Sequence, residues 1–405
     1  MPPRDDDAGA GRPRGIAEVF LVFLRLGVSS FGGPVAHLGY FHAEFVTRRR
    51  WLSEHNYADI VALCQFLPGP ASSQVGMVLG LSRAGIPGAL AAWAGFTLPS
   101  ALMLVLFALS LSASGAIPAG ALHGLKIVAV AVVAQAVWGM ARKLCNGWTR
   151  LAIMALSAGV VLLFQSAWGQ AGVIAGAGLV GMLLFRPGPG LAYAALPMPL
   201  TRRAGALLLG LFFILLFGLP VLAGAWPQHT LAVASAFYQA GALVFGGGHV
   251  VLPLLQAAVV PAHWVANDTF LAGYGMTQAV PGPLFTFAAF LGASMQPASN
   301  GWAGAALCLL AIFAPSFLLV LGVLPFWEQL RHSRRTQAAL AGVNAAVVGL
   351  LLAAMYRPVW TSAIFSLADF GLALCALLAL VYWKLPPWLV VLGCGGAGWL
   401  LGLVS

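Results

Sequence analysis

"QFLPGP" occupies residues 65–70, and "QAVPGP" occupies residues 278–283. Both runs stand inside strongly apolar sequence, where a Pro-Gly-Pro triplet breaks a helix, since an interior proline costs about 3 kcal/mol or more. In lipid, such a break is tolerated only where the freed backbone groups face protein or a water-filled cavity. The same break at two places therefore predicts two internal helix ends that have the same role.

The composition places the chain in a membrane. Of its 405 residues, 61% are hydrophobic and 7% are charged, whereas soluble domains average about 25% charged residues. Between Ala204 and Trp327, the only Asp, Glu, Lys or Arg is Asp268. Uncharged apolar stretches longer than about 18 residues are typical of transmembrane helices. The sequence thus predicts an all-α polytopic membrane protein surrounded by lipid. It excludes a soluble enzyme and a nucleic-acid-binding protein, despite a net charge of +10.

The reactive residue types give no sign of a catalytic or metal centre. The five cysteines lie in apolar sequence without C-x-x-C spacing, and the eight histidines form no ligand pattern. The sequence also lacks a glycine-rich nucleotide-binding fingerprint. We therefore expect no enzymatic activity, no metal and no cofactor.

The chain contains an internal duplication. "FGGPVAHL" at 31–38 aligns with "FGGGHVVL" at 245–252, and "FTLPS" at 96–100 aligns with "FAPS" at 313–316. In each copy, a tryptophan stands 17 residues before the first proline of the triplet, and a glutamine stands three before it. Landmarks in one shared order predict two repeats. The expected organisation is a polar cytoplasmic tail at 1–14, a first repeat at 15–185, a linker with one transmembrane helix at 186–230, and a second repeat at 231–405.

The charge of the loops predicts that the two repeats are inverted. Basic residues crowd the N-terminal tail, Arg48–Arg50, and the loops near 142–150, 186–203 and 331–335, which the positive-inside rule makes cytoplasmic. The loops that carry no Lys or Arg, and are therefore expected to be external, lie near 112–121, 166–169, 224–230, 257–268 and 297–303. Repeat partners then lie on opposite sides of the membrane, with the N-terminus cytoplasmic and the C-terminus periplasmic. Inverted repeats are the plan of many secondary transporters.

Each repeat is expected to contain two broken-helix hairpins followed by about four full spans. In the first repeat, the hairpins cover 16–47 and 54–83, and they break at residues 31–34 and 68–70. The full spans lie near 86–111, 122–141, 151–165 and 168–185, and the linker helix lies near 205–223.

The helix ends after the triplets predict an anion site. Pro70 and Pro283 should open half-helices, whose free N–H groups and positive dipole ends point at the middle of the membrane. Inverted symmetry would bring these ends to one cavity, which suits an anion. The hydroxyls of Ser72, Ser73 and Thr286 follow the triplets. The alternative interpretation is that both triplets are kinks that fit crossed helices.

Four stretches resemble the signature sequences of the CHR family, the chromate ion transporters. They are "LRLGVSSFGGPVAHLGYFHAEFVTRRRWLSE" (24–54), "LCQFLPGPASSQVG" (63–76), "LVFGGGHVVLPLLQ" (243–256) and "AVPGPLFTFAAFLGA" (279–293). The resemblance covers nearly the whole chain and indicates the long, two-domain form. It implies an inner-membrane protein that exports chromate, is driven by the membrane potential and gives chromate resistance. It also implies sulfate as a competitor or alternative substrate, and some members carry other anions.

The candidate substrate-binding residues have two sources. The resemblance carries over the motif residues Phe31, Pro34, Arg49 and Trp51, which are not counted as ligands. It also carries over the candidate ligands Arg25, Gly32, Gly33, Pro68, Gly69, Pro70, Gly246, Gly247, Gly248, Pro281, Gly282 and Pro283. The helix-end argument and the position of each glutamine add Gln65, Ser72, Ser73, Gln278 and Thr286. Both glutamines have an alternative role, which is to satisfy freed backbone groups.

Arg25 is the strongest single charge in this set. An intramembrane arginine usually faces a cavity or a partner, and its guanidinium fork matches a tetrahedral oxyanion. The alternative is a buried ion pair with Glu18, seven residues earlier on the same helix. The second repeat has Gln239 at the position of Arg25, so we expect the first repeat to carry most of the attraction for anions.

Two further residues are considered as ligands. Lys126 lies near the outer end of its span, where its side chain is also able to reach water. His249 directly follows the glycines of the second repeat, and the alternative is a satisfied interior histidine. The functional alternatives to chromate export are transport of sulfate or another oxyanion, and a passive anion channel. A homodimer is one alternative for the oligomeric state.

Overall fold

The computed structural model describes residues 15–114, 118–164, 167–186, 200–295 and 301–404. Within these ranges the chain is helical and contains no strand. Five helices are long and apolar enough to cross a membrane by length and composition. The predicted all-α polytopic membrane fold is therefore confirmed, while the predicted tail at 1–14 lies outside the described residues.

The first half of the chain forms seven helices in the expected order. They are α1 (Ile16–Ser29), α2 (Gly33–Phe41), α3 (Glu54–Phe66), α4 (Ala71–Ser114), α5 (Ala119–Leu144), α6 (Trp148–Leu163) and α7 (Ala167–Leu184). α2 continues as a π-helix over His42–Arg48. α4 bends at Ala84 and Gly85, where the backbone leaves helical values, so that residues 71–83 and 86–114 are separate rods. The bend separates the second predicted hairpin from the first predicted full span.

The linker and the second half follow the same plan. α8 (Arg202–Ala225) is the linker helix, at the place where one span was predicted. The second half contains α9 (His229–Leu243), α10 (Val251–Val259), α11 (Asn267–Thr277), α12 (Phe287–Ser294), α13 (Gly301–Val323), α14 (Trp327–His332), α15 (Arg334–Ala354), α16 (Leu367–Val381) and α17 (Pro387–Val404). Short 3-10 turns precede α10, α12 and α14, and a π-helix follows α15.

The long central helix of each half packs against the last two helices of the other half. α5 contacts α16 and α17, whereas α15 contacts α6 and α7. Aligned glycines make both approaches close. Gly124 of α5 lies against the backbone of Cys394, and Gly342 of α15 lies against the backbone of Ala177, so neither position has room for a Cβ. The two halves therefore share one core.

Contacts along the first half show which helix ends lie on the same side. The guanidinium of Arg83 lies 4.6 Å from the centre of the Trp51 ring, so α3 begins on the side where residues 71–83 end. Residues 86–114 then extend about 43 Å at 1.5 Å per residue, which carries the chain to the far side, where α5 begins. There Lys126 of α5 pairs with Asp268 in the first turn of α11, with Nζ and Oδ1 3.1 Å apart. α3 and α11 thus begin on opposite sides.

A second contact has the same implication. Arg331 in α14, directly after α13, pairs with Asp59 of α3, with Nη1 and Oδ1 3.0 Å apart. The end of α13 therefore lies near the start of α3, although the corresponding rod of the first half, residues 86–114, ends on the far side. Both contacts support the predicted inversion of the repeats. Asp59 lies within α3, whose N-cap is Ser53, since the Ser53 side chain accepts a hydrogen bond from the Asn56 N–H.

Candidate functional site

Each Pro-Gly-Pro triplet pairs with a helix break of the other half. The Gly69 N–H donates to the carbonyl of Val244 over 2.7 Å, and the Gly282 N–H donates to the carbonyl of Ser30 over 2.9 Å. Val244 and Ser30 are aligned residues, since each directly precedes a Phe-Gly-Gly sequence. The four helix breaks therefore meet in one region. The sequence predicts that the two triplets approach each other, whereas in the structure each triplet pairs with the Phe-Gly-Gly break of the other half.

The crossed pairing depends on glycine at both triplets. Gly69 has φ +121° and Gly282 has φ +99°, values that a residue with a Cβ rarely adopts. A Cβ at Gly69 would lie 2.6 Å from Ser316 Oγ, and a Cβ at Gly282 would lie 2.8 Å from Ser100 Oγ. Ser100 and Ser316 are the aligned serines of "FTLPS" and "FAPS". Sequence reasoning used them only as landmarks, although their recurrence beside a proline was a signal.

A cavity lies where the two halves meet. Its volume is about 70 Å³, several times the roughly 10–15 Å³ that one water needs. The first turn of α2 and the 3-10 turn Leu284–Thr286, which leads into α12, both reach it. The lining residues are Gly32, Gly33, Pro34, Val132, Gln135, His249, Thr277, Gln278, Val280, Gly282, Leu284 and Pro387. The start of α2 and the 3-10 turn before α12 therefore line one cavity, and the first N–H groups of a helix have no acceptor within that helix.

The polar side chains of the cavity are neutral amides, a hydroxyl and an imidazole. His249 Nδ1 lies 2.8 Å from the hydroxyl of Tyr274. The Gln278 side-chain Nε2 is buried without a hydrogen-bond partner in the described part of the chain. Gln135 donates from Nε2 to the carbonyl of Leu380 over 3.5 Å. Of the described residues that line the cavity, none is Arg, Lys, Asp or Glu, so attraction for an anion must come from N–H groups and helix dipoles.

The cavity contains four of the predicted ligands and one of the two residues considered beside them. Gly32, Gly33, Gln278 and Gly282 line it, and so does His249. Three of its polar side chains, His249, Thr277 and Gln278, come from the second half. We expected the first repeat to supply most of the attraction for anions, but most of the polar side chains in this cavity belong to the second half.

Arg25 does not line the cavity. It is exposed on the surface of α1, and its carbonyl accepts a hydrogen bond from Ser29 Oγ over 2.8 Å. Among the described residues it has no ion-pair partner. Glu18, the alternative partner, binds Arg49 instead, with Oε1 and Nη1 3.2 Å apart.

Two of the three hydroxyls that follow the triplets bind protein groups. Ser72 Oγ lies 3.3 Å from His37 Nδ1, and His37 Nε2 lies 3.2 Å from the carbonyl of Ser30, so a buried histidine joins two of the breaks. Thr286 donates to the carbonyl of Pro283 over 2.7 Å. Ser73 Oγ is buried without a partner in the described residues. The bridging role of His37 was missed, because no spacing pattern identifies it.

The remaining predicted residues stand beside the cavity or away from it. Lys126 is buried in its ion pair with Asp268 on the far side, rather than reaching water. Gln65 and Gly246 are exposed. The predicted residues that are not among the lining residues are Glu18, Arg25, Gln65, Pro68, Gly69, Pro70, Ser72, Ser73, Lys126, Gly246, Gly247, Gly248, Pro281, Pro283 and Thr286.

The basic cluster before α3 is largely neutralised. Glu44 accepts hydrogen bonds from Arg48 over 2.9 Å and from Arg49 over 2.6 Å. Partial burial of the Glu44 carboxyl acts to raise its pKa, but the hydrogen bonds and charges of Arg49 and Arg48 outweigh it and hold the pKa below its usual value. The Arg49 guanidinium also lies 5.8 Å from the centre of the Trp51 ring. Arg48 and Arg49 therefore have ion-pair partners in this cluster, whereas Arg50 takes no part in these contacts.

Comparison with known proteins gives consistent matches along the chain. The sequence model of the chromate transporter family matches it twice, over residues 17–182 and 231–399. The chain is 30% identical to a chromate transport protein of Pseudomonas aeruginosa, over 96% of this chain and 93% of that protein. It is 28% identical to a chromate transport protein of Cupriavidus metallidurans, over 96% and 93% of the respective chains. No solved structure matches the chain.

Proposed function

The chain belongs to the chromate transporter family, and we propose that it is a secondary transporter that exports chromate across the inner membrane of a bacterium. The observation that carries the proposal is the uncharged polar cavity between two helix starts. Such ends offer N–H donors and a positive dipole to a tetrahedral dianion. The relatives named as chromate transport proteins support the choice of substrate, and sulfate, which has the same charge and shape, is proposed as a competitor.

The site suits transient binding. Without a fixed positive charge in its lining, the cavity holds an anion by hydrogen bonds that can be exchanged for water. The crossed hydrogen bonds of Gly69 and Gly282 join the two halves at the same level. In transporters with inverted repeats, such a central region stays in place while the halves rock around it. We therefore propose that the cavity opens to each side in turn, with the second repeat inverted, the N-terminus cytoplasmic and the C-terminus periplasmic.

The membrane potential favours export. With the cytoplasm negative, each elementary charge that crosses is worth about 2.3 kcal/mol per 100 mV, so an outgoing dianion gains about 4.6 kcal/mol. Import would have to overcome the same sum and would need more than two cations carried along. Coupling of that kind usually requires several acidic residues or histidines within spans. The described acids near the spans are engaged elsewhere, since Glu18 binds Arg49 and Asp369 binds His123 at 2.8 Å. Export on the potential alone would give chromate resistance.

Chromate flux in everted membrane vesicles tests the proposal. Vesicles that contain the protein should accumulate chromate when they are energised, sulfate should compete, and collapse of the potential should abolish accumulation. Accumulation against a gradient separates a transporter from a passive channel. Cells that express the protein and contain more chromate than control cells, or vesicle transport that continues unchanged without the potential, would refute export driven by the potential.

A further inference from the structure

His249 is held between a buried tyrosine and the cavity. It lies in the 3-10 turn Gly248–Val250 and is one of the residues that line the cavity. Its Nδ1 lies 2.8 Å from the hydroxyl of Tyr274. Tyr274 is wholly buried, and its ring meets Phe287 edge-on with the centres 5.8 Å apart. The tyrosine is therefore fixed by packing and fixes the histidine in turn.

The tyrosine determines which ring nitrogen carries the proton. A buried tyrosine hydroxyl needs an acceptor, and His249 Nδ1 is its hydrogen-bond partner in the described part of the chain. When Tyr274 donates to Nδ1, the neutral imidazole carries its hydrogen on Nε2. Nε2 lies on the ring edge away from Tyr274 and has no hydrogen-bond partner among the described residues. Since His249 lines the cavity, its Nε2–H is the donor that the ring has available there.

The pair is a feature of one repeat only. The positions aligned with His249 and Tyr274 are Val35 and Val61 in the first repeat. The first repeat forms the corresponding helix break and the corresponding crossed hydrogen bond without either residue. The fold itself therefore does not require this histidine and tyrosine, which favours a role in ligand binding over a role in packing.

We propose that His249 binds the transported oxyanion through its Nε2–H group, and that Tyr274 is the positioning residue that holds this donor in the correct tautomer. The inference rests on the proposed function, because it assigns a ligand to the same cavity. The Nε2–H donor favours an oxyanion as the ligand, since an ionised oxygen accepts a stronger hydrogen bond than a neutral oxygen does. Chromate and sulfate both have such an oxygen.

Two substitutions at His249 separate ligand binding from a structural role. The amide nitrogen of glutamine reaches the place of Nε2, whereas that of asparagine reaches the place of Nδ1. If Nε2 binds the anion, His249→Gln should change the apparent KM for chromate in everted vesicles by only a few-fold, while His249→Asn should raise it about 10- to 100-fold, the effect of losing a hydrogen bond to a charged group. If His249 only serves as the hydrogen-bond partner of Tyr274, His249→Gln should raise the apparent KM more than His249→Asn does.

Tyr274→Phe tests the positioning role. Without the hydroxyl, the imidazole hydrogen is free to move to Nδ1, so the apparent KM for chromate and the inhibition constant for sulfate should both rise about 3- to 10-fold. The matched control is Tyr238→Phe, which removes another buried hydroxyl, one that donates to the carbonyl of Phe212 over 3.0 Å. This control should lower stability without a change in either constant.

The outcomes distinguish the inference from the proposed function. Wild-type vesicles that show no saturable chromate transport refute the proposed function. Saturable transport in wild type, with His249→Asn equal to or better than His249→Gln, refutes the assignment of His249 alone. Equal constants for Tyr274→Phe and Tyr238→Phe refute the positioning role. If the asparagine variant does not fold, sulfate inhibition of His249→Gln decides, because a few-fold change supports the inference and a change above 10-fold contradicts it.

Discussion

The buried ion pair between the two halves gives a quantitative prediction. Asp59 Oδ1 accepts hydrogen bonds from Arg331 Nη1 over 3.0 Å and from Trp327 Nε1 over 3.1 Å. Asp59 is 1% exposed and Arg331 is 7% exposed. Removal of one partner of a buried pair costs about 3–5 kcal/mol. Because Arg331 also binds Glu328, with Nη2 and Oε2 2.6 Å apart, we expect Asp59→Asn to lower the free energy of unfolding by about 3 kcal/mol, at the lower end of that range.

Asparagine isolates the effect of the charge. Its side-chain oxygen still accepts the hydrogen bond from Trp327, so the loss arises from the uncompensated guanidinium. The double variant Asp59→Leu/Arg331→Met removes both charges and should recover much of the stability, since replacing a buried pair with apolar residues is often close to neutral.

Unfolding in detergent micelles across a denaturant series, followed by circular dichroism, measures these differences. The matched control is Glu54→Gln. Its carboxylate pairs with His42, and the side chains are 73% and 37% exposed, so the loss should stay below about 1 kcal/mol. A single variant at Asp59 that is as stable as the control, or a double variant no more stable than the single one, would refute the reasoning.

Three further predictions follow from the helix breaks, the exposed arginine and the inverted repeats. Gly69→Ala should lower the free energy of unfolding by about 2 kcal/mol, because φ is +121° and the added Cβ would lie 2.6 Å from Ser316 Oγ. The control is Gly139→Ala, which has open space around it and should be neutral or stabilising in the same unfolding assay. Arg25 is exposed and lies outside the cavity, so Arg25→Lys should keep the chromate flux of wild type, and a loss as large as that of Arg25→Ala would instead mean that the guanidinium meets the anion as a fork. Cysteine labels near Arg49 and His263 should react from opposite sides of intact cells, and a shared side would contradict the inversion.

The helices and their breaks could be predicted from sequence. Uncharged apolar length fixes a membrane helix, and proline with glycine fixes where a helix must stop. α1, α3 and the rods of α4 therefore end within a few residues of the expected positions. The linker helix was likewise predictable, because Arg202–Ala225 is uncharged after Arg203.

The partners across the interface could not be predicted in the same way. The crossed hydrogen bonds of Gly69 and Gly282 depend on how the repeats approach each other, and nothing in a local pattern encodes a partner more than 170 residues away. Arg25 illustrates the same limit. Its presence in an apolar helix predicts a special environment, but the side of α1 on which it lies depends on the packing of α1 against α4.

The cavity arises where the aligned positions of the two repeats differ. The crossed hydrogen bonds use residues at aligned positions, Gly69 with Gly282 and Val244 with Ser30. By contrast, His249, Thr277 and Gln135 line the cavity, and the aligned positions of the other repeat hold Val35, Cys64 and Ala353. A second cavity related by the repeat would thus keep Gln65, the residue aligned with Gln278, but would have apolar side chains or a thiol at these three positions, and burial of a dianion among apolar groups is costly. The duplication therefore gives the two halves the same helix breaks, and the side chains that differ between the halves confine the polar site to one of the two related positions.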